Sequence, residues 1–131
     1  MQEPKDISSL DDIKLLVDTF YGQVRIDPLL GGIFNGAIQD RWPQHLEKMY
    51  RFWQTVLLEE HTYNGSPFPP HAVLPVERRH FDAWLGIWNR TIDAHFAGPK
   101  AEEAKWRGDK MATMFLAKLT YFRGASGTSL V

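Results

Sequence analysis

None of the 131 residues is cysteine, and that one absence excludes disulfides, thiolate nucleophiles, iron–sulfur clusters and cysteine-rich zinc sites together. Any metal must be held by histidine or carboxylate. No run approaches the roughly 20 apolar residues of a membrane-spanning helix, and the opening Met-Gln-Glu-Pro-Lys-Asp has neither the basic nor the apolar region of a secretory signal. A cytoplasmic protein is expected. Charge of either sign is not in excess: 15 Lys and Arg against 16 Asp and Glu leave a net charge of -1 and a pI near 6.5. Such a balance offers no electrostatic footprint to nucleic acid or an anionic membrane. Nothing repeats at a fixed period, no segment alternates with period two for long, and glycine-rich phosphate loops, His-Glu-x-x-His and serine-nucleophile signatures are missing.

What is present is aromatic and helical. Aromatics make up 13% of the chain and hydrophobic residues 44%, enough for one core and too little chain for two, so a single domain over 1–131 is expected, with its core at 8–123 and a loose tail at 124–131. Ser8 and Ser9 before Asp11 and Asp12 have the character of a helix start. Ile13, Leu16, Val17, Phe20, Tyr21 and Val24 then recur at spacings of three and four, one buried helical stripe that stops at Asp27-Pro28. Residues 29–38, with three glycines, predict short turns that pack Leu30, Ile33 and Phe34 inward.

A second helix is predicted from Trp42 to Glu59, with Pro43 in its first turn. Its stripe is Trp42, Leu46, Met49, Phe52, Trp53, Val56 and Leu57, and His45 shares that face. A third stripe, Phe81, Trp84, Leu85, Trp88, Ile92 and Phe96, closes at Gly98-Pro99. A fourth carries Trp106, Met111, Met114, Phe115, Leu119 and Phe122 and ends at Arg123-Gly124. The pattern predicts an all-α domain of four principal helices.

Between the second and third helices lies Pro-Phe-Pro-Pro-His-Ala-Val-Leu-Pro (67–75). Its prolines fix φ and withhold the backbone around His71 from regular structure, so this loop can hold a ligand rigidly. Two other histidine patterns carry less. His45-Leu46-Glu47 lacks the cysteines that a zinc deaminase needs, and a single Glu77-x-x-His80 reads as an exposed turn, since helical di-iron sites use the pair twice. His45 and His71 each have an ordinary structural reading as well. Together they flank an aromatic slot of the kind a haem requires, with one nitrogen for iron and apolar walls against water. Tyr21 and Trp84 add an O–H and an N–H on buried stripes, groups that seek partners.

In order and spacing, several pieces resemble the truncated haemoglobins, and among them the third group. They are Phe20-Tyr21, Asp27-Pro-Leu-Leu-Gly-Gly-Ile-Phe-Asn, Trp42-x-x-His45, Phe52-Trp53, Tyr63-Asn64-Gly65, Pro70-His71-x-x-Leu-Pro75 and Phe81-x-x-Trp84. The glycine pairs that mark the other truncated groups are not evident, and proline takes their place in the loop. The resemblance implies a truncated globin, a two-over-two helical sandwich around haem b, with His71 as the iron ligand. It implies Tyr21, His45 and Trp84 on the ligand side, and Phe20, Met49, Phe52, Trp53 and Phe81 along the pocket. Lys48, Tyr63, Arg78 and Arg79 are candidates for the haem carboxylates.

Dioxygen, carbon monoxide and nitric oxide are the implied ligands, with nitric oxide dioxygenase or peroxidase-like reactivity supported by an external reductant and a monomer as the expected form. The alternative is a haem-free helical module whose slot takes a hydrophobic ligand or a partner helix.

Overall fold

The computed structural model of the chain describes residues 4–63 and 76–130, with side chains described as far as 121. Helix α1 (Leu10–Ile26) starts in a reciprocal cap. The Ser9 hydroxyl accepts from the Asp12 N–H at 3.3 Å, and the Asp12 carboxylate accepts from the Ser9 N–H at 3.2 Å, the Ser8 N–H at 2.9 Å and the Lys5 ammonium at 2.8 Å. All six members of the first apolar stripe are buried, Ile13, Leu16, Val17 and Val24 completely. At the other end the Asp27 carboxylate accepts from the Leu29 and Leu30 N–H groups and turns the chain.

The stretch expected as turns instead forms helix α2 (Gly31–Ile38). Its glycines each cost about 1 kcal/mol of helix propensity, but burying Leu30 and Phe34 against α1 overrides that. Gly31 is required for the junction: a Cβ there would lie 2.7 Å from the Arg25 carbonyl oxygen. A single 3-10 turn, Gln39–Arg41, leads into α3 (Trp42–Leu58), where Pro43 sits in the first turn and Trp42, Trp53 and Leu57 are buried.

Helix α4 (Arg78–His95) buries Ile87, Trp88, Thr91 and Ile92, and α5 spans Pro99–Leu130. Asp6, far off in sequence, caps α5 by accepting from the Lys100 N–H at 2.9 Å and the Ala101 N–H at 2.8 Å, next to Gly98 at φ 138.

Two expectations for the last helix are corrected. It continues past Arg123-Gly124 through most of the expected tail, because Gly124 and Gly127 weaken a helix without ending it. Its inward face is Ala101, Ala104, Gly108, Ala112, Phe115 and Leu119, spaced by three and four, which leaves Trp106 and Met114 on the opposite side, 54% and 44% exposed. The Trp106 ring lies under the cations of Arg107 and Lys110 instead.

Helix α1 packs on α3 and α4, and α4 on α5, so among the described residues four long helices form two layers of two, with α2 bracing α1. Small residues set the second layer's spacing, since a Cβ on Gly108 would come within 2.7 Å of the Trp88 ring.

Burial raises the Asp12 pKa, but the Lys5 ammonium and the Ser8 N–H outweigh it, so the carboxyl titrates below its ordinary 3.8. A depressed folded value stabilises above the ordinary one and is lost as pH falls through the folded one. Asp12→Asn is therefore expected to cost about 1–2 kcal/mol at neutral pH, measured from urea midpoints, with the gap to the parent chain closing in acid. A gap that stays constant well below pH 3.8 would contradict the role given to the charge.

Candidate functional site

The two layers leave a slot between them. Its walls are Phe20 and Tyr21 of α1, Leu30 and Phe34 at α2, Met49, Phe52 and Trp53 of α3, Val76 with His80, Phe81 and Trp84 at α4, and Met111, Ala112 and Phe115 of α5. Its unfilled volume, counted to the open mouth, is about 730 Å³. The lining is mostly apolar and rich in aromatic rings.

Tyr21 is 7% exposed. Its ring is caged edge-on by Phe20 at 4.9 Å, His45 at 5.1 Å and Trp42 at 5.6 Å. Trp42 is itself fixed, donating to the Asn35 side-chain oxygen at 3.2 Å with the Arg25 guanidinium 4.6 Å above it. Burial pushes the Tyr21 phenol well above its ordinary pKa, so it stays protonated and is a donor. Among the described residues its hydroxyl has no hydrogen-bond partner, and neither does the Trp84 indole N–H. Two donors thus stand on an apolar wall.

His80 was read as part of an exposed turn, and the structure corrects that: it is 6% exposed and lines the slot. Glu77 and His80 form a cap in which the Glu77 N–H donates to His80 Nδ1 at 2.9 Å. An accepting Nδ1 in a neutral ring places the proton on Nε2, which makes His80 a third donor and disfavours it as a metal ligand. The signal available in the sequence was the Glu-x-x-His spacing itself, read for metals and not for capping.

Among the other candidates, Phe20, Met49, Phe52, Trp53, Phe81 and Trp84 are brought together on the slot. His45 stands behind Tyr21 and is not a lining residue. Lys48 is exposed and away from the slot. Tyr63 meets Phe52 edge-on at 5.4 Å. Arg78 and Arg79 are exposed on the first turn of α4, Arg79 pairing with Glu77 at 3.4 Å and Arg78 bordering a separate groove between α4 and α5. His71 lies outside the described residues. Sequence reasoning missed Val76 and Ala112, which carry no functional signal, and took Leu30, Phe34, Met111 and Phe115 only as core.

Among the described residues no group of three His, Cys, Asp or Glu is placed to hold a bare metal ion. A flat macrocycle that brings its own equatorial donors needs no such group, and an aromatic, mostly apolar lining suits one.

A short two-layer helical fold around an aromatic slot is the arrangement of a globin-type protein. The model of the bacterial-like globins matches residues 6–117. The Group 3 truncated hemoglobin ctb of Campylobacter jejuni is 31% identical over 118 residues, covering 87% of this chain and 93% of that protein. A crystal structure of the group III truncated hemoglobin from Campylobacter jejuni superposes with a TM-score of 0.82 at 30% identity, over 89% of this chain and 95% of the other. The chain belongs to the bacterial-like globins, in the group III truncated haemoglobin line, a family that implies a haem cofactor.

Nitrogen NMR of the protein labelled at histidine is expected to find His80 as the Nε2–H tautomer at neutral pH. A protonated Nδ1 would remove the Glu77 cap and the donor role together.

Proposed function

We propose that this globin holds haem b in the slot through His71 and uses Tyr21 and Trp84 to retain dioxygen for reaction with nitric oxide or for peroxide chemistry. The observation that carries the reading is a buried phenol, Tyr21, and a half-buried indole, Trp84, on a mostly apolar wall with no hydrogen bond to a described residue. Haem supplies, when bound, an iron that takes diatomic ligands and changes oxidation state. The chain's own residues do the rest. Phe20, Met49, Phe52 and Trp53 exclude water, which strengthens every hydrogen bond made inside.

A diatomic ligand that gained negative charge in the slot would accept from Tyr21 and Trp84, and a hydrogen bond to a charged group contributes about 1.5–3 kcal/mol. Each donor then slows release roughly ten- to hundredfold. Tight retention suits chemistry better than delivery, and an external reductant is needed to return the iron to its ferrous state. His45 packs on the Tyr21 ring and holds it in orientation. His80 adds a donor at the α4 wall that would be available to a cofactor held in the slot.

Tyr21→Phe is expected to speed dioxygen release at least about tenfold in stopped-flow displacement by carbon monoxide; an unaltered rate would take the hydroxyl out of the mechanism. His71→Ala should abolish the five-coordinate ferrous spectrum of a histidine-ligated haem, and its persistence in that variant would refute the assignment of the ligand.

A further inference from the structure

Three indoles lie in one stack. Trp88, completely buried, is near-parallel to Trp53, with ring centres 4.5 Å apart and planes at 27°, and to Trp84, at 5.7 Å and 14°. Trp53 and Trp84 line the slot and Trp88 does not, so both outer rings of the stack meet the slot and its middle ring lies in the core. Its position is held from several sides. The Trp88 indole N–H donates to the Ala104 carbonyl at 3.0 Å, Gly108 leaves the room that any Cβ would take, and Phe20 sets its ring edge-on to both Trp84 and Trp88.

Indole and phenol are the side chains from which an electron is most readily removed, and overlap between parallel rings spreads the resulting hole. Burial opposes a cation there. The Ala104 carbonyl offsets this, because its hydrogen bond from the indole N–H becomes charge-assisted when the ring is oxidised. A carbonyl is also too weak a base to take the proton, so the hole stays cationic. Trp106 and Tyr21 are worse placed, and Tyr50, whose phenol donates to the Asp18 carboxylate, does not line the slot. Trp106 has the Arg107 and Lys110 cations 5.3 and 5.6 Å from its ring, which oppose loss of an electron. A phenol sheds its proton on oxidation, and the Tyr21 hydroxyl has no acceptor among the described residues.

We infer that the Trp53–Trp88–Trp84 stack is a one-electron donor to the slot during reaction with hydrogen peroxide, an inference that rests on the haem reading above. Breaking the peroxide O–O bond and forming two waters takes two electrons and two protons. The cofactor supplies one electron and the stack the other, the protons come from solvent, and the stack is left as an indole cation radical. A small phenolic or ascorbate-like reductant returns both electrons.

Ferric haem-loaded protein mixed with hydrogen peroxide and frozen within seconds is expected to give an electron paramagnetic resonance signal from tryptophan. The signal should narrow in protein made with ring-deuterated tryptophan and stay the same with ring-deuterated tyrosine. Trp88→Phe is expected to lose it, and Trp84→Phe serves as the second variant should the first fail to fold. A signal that narrows with tyrosine labelling instead, or no protein radical from haem-loaded material, overturns the inference and leaves the globin reading standing. Protein that takes up no haem overturns that reading and the inference with it.

Discussion

Phe20 is the contact on which the slot depends. Its ring is edge-on to Tyr21, Trp84 and Trp88 at 4.9, 5.3 and 5.1 Å, and it is almost wholly buried. Edge-to-face pairs carry about 0.5–1.5 kcal/mol each beyond simple burial, so one side chain ties α1 to α4 in a defined orientation. Because a packed interior moves between discrete arrangements more readily than it deforms, that tie holds two helix layers at a separation that leaves a gap between them.

Function follows from what is allowed to break the apolar rule inside that gap. Tyr21, Trp84 and His80 each bring one hydrogen to an aromatic surface, and each is held by something other than a hydrogen bond that would consume it: ring contacts around Tyr21, stacking under Trp84, the Glu77 cap behind His80. A donor left unmatched in a dry site is costly to the apo fold. On the proposed function, the same cost would be recovered when an acceptor enters the slot.

Much of the fold was legible from periodicity. The α1 stripe, the Ser9–Asp12 cap and the α3 face need only local spacing, and they appear with the expected residues. The slot was legible in part, since Phe20, Met49, Phe52, Trp53, Phe81 and Trp84 lie on stripes that must face something. Helix α2 was not, because its glycines argue for turns until Leu30 and Phe34 are seen packed on α1. The outward turn of Trp106 was also hidden: hydrophobicity marked it for the core, while the alanines that do face inward looked neutral.

By itself, then, the order of residues determined the four long helices, where α1 and α3 begin, and that the interior would be aromatic and free of cysteine. Only the tertiary structure decided that His45 stands behind Tyr21, that His80 turns inward as a donor, and that Trp53, Trp84 and Trp88 share one stack. The physical reason is distance along the chain. Capping and helical stripes are set by neighbours three and four residues apart, whereas ring orientation, tautomer and stacking depend on groups brought together from different helices.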